Sequence, residues 1–154
     1  MASSNDMKIN GDKLVAIASG KGGVGKTWFA ITLSHALARA GRRTLLFDGD
    51  LGLANVDIQL GLMPDRDLGA VLTGKLSMRH SVTKYPDGGF DILAGRSGSG
   101  NLASLPAPRL NRLLAELSSL SELYDHVIMD LGAGVDRTVQ LLAGSARSCI
   151  LASR

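Results

Sequence analysis

The sequence predicts a three-layer α/β/α fold built on a mostly parallel sheet. Short apolar runs alternate with segments whose apolar residues recur at helical spacing, an order that gives right-handed crossovers and parallel strands. A glycine-rich turn stands between the first predicted strand and the first predicted helix. Apolar residues make up 45% and charged residues 20% of the 154 residues, which is typical of a folded globular domain.

Each predicted element follows from a local pattern. Apolar runs bounded by turn residues predict strands at 14–19, 44–47, 90–94, 126–129 and 149–152. Helical spacing of apolar residues predicts helices at about 29–40, 67–72, 110–120 and 136–144. Gly41 is expected to cap the first helix, and Pro106 and Pro108 precede the third. The stretch 49–61 has the composition of a loop.

The chain is expected to hold a flexible tail at 1–13 and one domain at 14–154, incomplete at its C-terminal side because the sequence stops after a core strand. Its single cysteine, Cys149, is expected to be a buried, inert thiol. A net charge of +3 gives no indication of nucleic-acid binding. With no signal peptide and no apolar run of about 20 residues, a cytoplasmic protein is expected.

The glycine-rich turn matches the pattern G-x-x-x-x-G-K-[ST] and predicts a phosphate-binding loop. It consists of Gly20, Lys21, Gly22, Gly23, Val24, Gly25, Lys26 and Thr27. The glycines let backbone N–H groups turn toward an anion, and the following helix directs its positive end there. Lys26 would reach the β- and γ-phosphates, and the Thr27 hydroxyl would bind magnesium. A chance glycine-rich turn is the alternative.

Lys21 is a second lysine within the same loop. It is either a solvated charge or a group that supplies positive charge to a phosphoryl-transfer transition state. The sequence leaves open whether it would act on its own nucleotide or on a neighbour's.

Three acidic residues stand at strand ends, where parallel sheets collect their ligands. Asp130 follows an apolar strand in the Walker B pattern and would hold magnesium. Asp48 or Asp50 would orient the attacking water. The alternative is that these carboxylates only cap turns.

Four segments in order resemble the MinD/ParA family of dimerising ATPases, and their wording favours its flagellar FlhG/FleN branch. They are the loop at 21–27, D-x-D-x-G-L-x-N-x-D at 48–57, a strand with a glycine-rich sequel at 92–98, and D-x-G-A-G at 130–134. The resemblance implies the P-loop NTPase fold of the SIMIBI/MinD-like class, with ATP and Mg²⁺ as cofactors.

The resemblance also implies a division of roles. Lys21 would reach the partner's nucleotide across an ATP-dependent homodimer, while Asp50 would position the hydrolytic water. Lys26 and Thr27 would hold phosphate and magnesium, with Asp48 and Asp130 supporting the metal. Such proteins act on partners of a positioning system, here flagellar number or placement, and the full-length form would contact the membrane peripherally.

Two residues depart from the family pattern, and two other functions stay open. Trp28 stands where the family has a small polar residue, and Leu131 where it has Ser or Thr.

The family's later half, with its base-binding residues, is absent, which favours a weakly nucleotide-binding regulatory or interaction module without turnover as the alternative. A synthetase of the cobyrinate amidase type is a third possibility. Such an enzyme needs an additional substrate pocket, and the sequence shows no set of catalytic residues for one.

Overall fold

The computed structural model describes residues 12–22, 24–50, 56–62, 66–95, 105–133 and 137–153. Its strands are β1 (Leu14–Ser19), β2 (Thr44–Asp48), β3 (Thr83–Tyr85), β4 (Phe90–Leu93), β5 (His126–Ala133) and β6 (Ser148–Ala152). They form one six-stranded sheet in the order β3-β4-β2-β5-β1-β6, in which only the β3–β4 pair is antiparallel. The predicted mostly parallel α/β fold is confirmed.

Helices cover both faces of the sheet. They are α1 (Lys26–Arg39), α2 (Val56–Leu60), α3 (Leu68–Leu72), α4 (Ala107–Ser121) and α5 (Arg137–Ser145). Because side chains alternate along a strand, Leu45 and Phe47 pack with α3, α4 and α5, whereas Leu46 packs with α1 and α2 on the other face. No helix in the described ranges combines the length and apolar character that crossing a membrane requires.

Local signals set the ends of the two longest helices. Gly25 precedes α1 with a φ of +84°, and Gly41 follows it with a φ of +76°, which confirms the predicted glycine end. Pro106 precedes α4, whose buried stripe contains the predicted leucines Leu110, Leu113, Leu114, Leu117 and Leu120. This stripe attaches α4 to the sheet and leaves its other side to solvent.

Four sequence predictions differ from the structure. The short elements β3 and α2 were not predicted, and α2 lies within the expected loop. Asp130 lies inside β5 instead of at its end. Cys149 is exposed, so the prediction of a buried thiol is wrong. In the described part of the chain β6 pairs only with β1, and its apolar residues stay exposed, as Leu151 does at 74%.

Most of the predicted tail at 1–13 lies outside the described residues. Gly23, residues 51–55 of the acidic segment and Gly134 also lie outside the described residues.

Candidate functional site

The candidate site lies where β1, β2 and β5 run side by side. β5 is the central strand of the three, and its Asp130 is in register with Asp48 of β2 and with Ile17 of β1. The phosphate-loop sequence starts directly after β1, at the same edge of the sheet as the acids. The predicted grouping of the loop with acids from two strands is therefore present in the fold.

The described part of the phosphate loop is open to solvent at its start and buried at its end. Ser19 Oγ donates to the carbonyl oxygen of Lys21 at 2.8 Å, which fixes the exit from β1. Lys21 and Gly22 are exposed, whereas Lys26 is only 8% exposed. The Lys21 side chain is thus available to a second molecule, and the Lys26 side chain reaches inward.

Asp130 is the acceptor that joins the loop to β5. Lys26 Nζ contacts Asp130 Oδ1 as a buried ion pair, and Thr27 Oγ1 donates to Oδ2 at 2.7 Å. Asp130 itself is 1% exposed, so both of its oxygens need such donors. The two loop residues expected to bind phosphate and metal are therefore already brought to the Walker B carboxylate.

Asp48 organises the chain that follows β2. Its Oδ1 accepts from the backbone N–H of Asp50 at 3.2 Å, and its Oδ2 accepts from that of Val56 at 3.3 Å. Burial, and after it the nearby charge of Asp130, raise the pKa of Asp48 from 3.8 to about 7, although these two hydrogen bonds act to lower it. Asp48 is therefore a structural anchor of the site as well as an acid near it.

Two glycines lie beside the acids of β2 and β5, and the closer packing is at Gly49. Gly49 N–H donates to the carbonyl oxygen of Asp130 at 2.8 Å, and a Cβ on Gly49 would lie 3.1 Å from Leu131 Cδ2. A Cβ on Gly132 would lie 3.4 Å from Asp50 Oδ1. Sequence reasoning missed both positions as site residues, although each glycine is within two residues of an acid.

The two departures from the family pattern lie in different surroundings. Trp28 follows Thr27 in the first turn of α1 and is 66% exposed, so its indole does not pack beneath the helix. Leu131 is fully buried in the apolar cluster shared with α4. Its side chain thus contributes to the core between the sheet and that helix.

The donor set fits a magnesium–phosphate group. Hydroxyl and carboxylate oxygens are hard ligands, and magnesium in such sites uses one or two carboxylates together with substrate phosphate oxygens. Among the residues that the structure describes, no three His, Cys, Asp or Glu side chains form a cluster that could hold a metal alone. Thr27 and Asp130 would therefore hold the ion jointly with a nucleotide.

Comparison with known proteins places these residues in a family. Residues 15–148 match the family described as the CobQ/CobB/MinD/ParA nucleotide binding domain. Antiactivator FleN of Pseudomonas aeruginosa is 37% identical over 90% of this chain and 49% of its own length. The flagellum site-determining protein YlxH of Helicobacter pylori is 32% identical over 90% of this chain and 47% of its own.

Structural comparison gives the same answer. The septum site-determining protein MinD of Pyrococcus horikoshii, complexed with Mg-ADP, superposes with a TM-score of 0.77 and 28% identity, over 92% of this chain and 58% of that one. The chain spans about half the length of the two flagellar relatives. With a family match across most of its length, this chain belongs to the CobQ/CobB/MinD/ParA nucleotide-binding family.

Proposed function

We propose that this chain binds ATP with magnesium and hydrolyses it. The observation that carries the proposal is the convergence of Lys26 Nζ and Thr27 Oγ1 on the buried carboxylate of Asp130. A purely structural ion pair would not need a glycine-rich turn before the lysine or a hydroxyl beside it. Phosphate binding and magnesium binding require both.

Each residue would have one task in the reaction. Lys26 and the loop N–H groups would bind the β- and γ-phosphates, and Thr27 with Asp130 would hold magnesium, which neutralises charge on the phosphates. Asp50, half-buried beside Gly132, would orient the attacking water. Asp48 would hold the acidic segment in place through the backbone of Asp50 and Val56. Catalysis would thus come from positioning and electrostatics.

ATP binding would drive formation of a homodimer, and hydrolysis would return the chain to the monomer. Lys21 is exposed at the mouth of the loop, where a second copy of the chain could receive it. The named functions of the similar proteins, an antiactivator and a flagellum site-determining protein, support a role in flagellar number or placement. Protein partners of a positioning system would respond to the dimer, in the cytoplasm or at the membrane periphery in a full-length form.

Magnesium-dependent ATP turnover by wild type and Lys26→Ala tests the proposal. Because the substitution removes the main cation of the loop, turnover should fall by about 100-fold or more. Lys84→Ala removes an equally charged but exposed lysine from β3 and should leave turnover unchanged.

Equal turnover in wild type and Lys26→Ala would contradict the enzymatic function. ATP binding without turnover, lost in Lys26→Ala, would instead support a nucleotide-binding interaction module.

A further inference from the structure

A second concave region lies on the sheet face opposite α1. It is a cleft of about 330 Å³ between the end of α3, the turn that follows it, and α4. That volume is at the lower end of the range for binding pockets, about 300–1,000 Å³. The residues that form it are separate from the phosphate loop and the acids of the candidate site.

The rim of the cleft carries excess positive charge. Lys75, Arg109 and Arg112 are exposed there, and Glu116 is the one acid among the lining residues. Arg109 and Arg112 are three residues apart on α4 and therefore point to the same side of the helix. The cleft thus presents three cations against one carboxylate.

That carboxylate is already engaged within the protein. Glu116 Oε1 accepts from Arg112 Nε at 3.3 Å, and Oε2 accepts from the backbone N–H of Met78 at 3.2 Å. Within the described ranges Lys75 and Arg109 form no ion pair. Both cations are therefore available to pair with an acidic partner that approaches from solvent.

Leucines form the base of the cleft, beside the polar side chains of Thr73 and Ser77. Leu113 is 3% exposed and belongs to the core, whereas Leu72 and Leu76 are half-buried beside it. Half-buried leucines at the base of a cleft can bury further area against an incoming apolar side chain, at about 25 cal/mol per Å². The cleft therefore combines an apolar base with a cationic rim.

We propose that this cleft docks an acidic amphipathic peptide segment of a partner protein. An apolar side chain of the segment would lie against Leu72, Leu76 and Leu113, and its carboxylates would pair with Lys75 and Arg109. The proposal is independent of the proposed ATPase activity, because it uses none of the residues of that site.

Selection from a displayed random peptide library on the 154-residue chain tests the proposal. We expect the enriched peptides to combine two or more Asp or Glu residues with a large apolar residue. A synthetic copy of the most enriched peptide should bind at least about tenfold more weakly to the double variant Lys75→Gln, Arg109→Gln, which keeps the Arg112–Glu116 pair. Its affinity should also fall as salt is raised.

Matched variants separate the cleft from general charge effects. Arg39→Gln with Arg42→Gln removes the same charge from exposed positions at the end of α1 and should leave peptide affinity unchanged. Lys75→Glu with Arg109→Glu leaves the Arg112–Glu116 pair intact and should prefer the same peptide with Lys in place of its acids. Circular dichroism checks that every variant is folded.

Three results would overturn the proposal. The first is a selection whose peptides are not acidic, and the second is equal affinity for the wild type and the Lys75, Arg109 variant. The third is a selection that enriches no peptide; Lys75- and Arg109-dependent binding to phosphatidylserine vesicles would then assign the surface to a membrane.

Discussion

Asp48 and Asp130 lie directly opposite each other on the neighbouring strands β2 and β5, and both side chains are buried. Two acids at this spacing could not both be charged without compensation. Asp130 receives a cation and a hydroxyl, from Lys26 and Thr27. Asp48 accepts two backbone N–H groups instead and has its pKa raised to about 7. The strand register brings the two acids together, and their different hydrogen-bond partners give them different environments.

The raised pKa of Asp48 makes the stability of the ligand-free protein depend on pH. Between about pH 4 and pH 7 the folded protein binds more protons at this carboxyl than the unfolded chain, whose group has the ordinary value of 3.8. The free energy of unfolding should therefore fall as pH rises through this window and then level off. Urea unfolding of wild type and Asp48→Asn, without magnesium or nucleotide, measures the difference.

In Asp48→Asn this contribution disappears, so the variant should gain stability relative to wild type as pH rises from 4 to 7. Parallel pH profiles for the two proteins would show that Asp48 titrates normally in the folded state.

Removing Asp130 leaves Lys26 as a buried cation without its acid. Breaking one side of a buried pair costs about 3–5 kcal/mol, so Asp130→Ala should lower the free energy of unfolding by about that amount. Asp125→Ala breaks the solvent-accessible pair with Arg43 and the hydrogen bond from the Arg43 backbone N–H, and should still change stability less. Urea unfolding at pH 7 compares the three proteins, and equal losses in the two variants would argue against a buried Lys26–Asp130 pair.

The parts of the fold that were predictable carry their signal locally. The leucine spacing of α4 and the apolar runs of β1 and β2 can be read from a few neighbouring residues of the sequence. β3 has only three residues of mixed burial and depends on pairing with β4. α2 begins at Val56, whose N–H is bound by Asp48, so a tertiary contact specifies its start. Such contacts are invisible in local composition.

The site was predictable to the level of which residues share an edge of the sheet. Motif spacing placed Lys26, Thr27 and Asp130 there, but it could not show that both loop residues donate to one carboxylate. The close approach at Gly49 depends on strand register, which a single sequence does not encode explicitly. The exposure of Cys149 depends equally on its strand's position in the sheet.

In the proposed dimer cycle Asp50 and Lys21 would have different roles, so their substitutions should have different effects. Asp50→Ala removes the group that would orient water but leaves the phosphate loop intact, so ATP should accumulate in a dimer detectable by size-exclusion chromatography. Lys21→Ala should lower turnover more than nucleotide affinity, because the lysine would act mainly in the transition state. A persistent monomer of Asp50→Ala with ATP would count against the shared site.

Trp28 provides a direct optical measurement of nucleotide binding. It is the single tryptophan of the sequence, it follows Thr27 directly, and it is 66% exposed. A nucleotide bound at the loop would change the solvent contact of the indole, so ATP with magnesium should shift or quench its emission in a saturable way. Lys26→Ala, which retains Trp28, should need at least about tenfold more ATP for the same change, because it lacks the cation that binds the phosphates.

Trp28→Phe should lose the signal and change stability by no more than about 0.5 kcal/mol, as expected for an exposed position. An unchanged emission spectrum at ATP concentrations that support turnover would show that the indole lies away from the bound nucleotide.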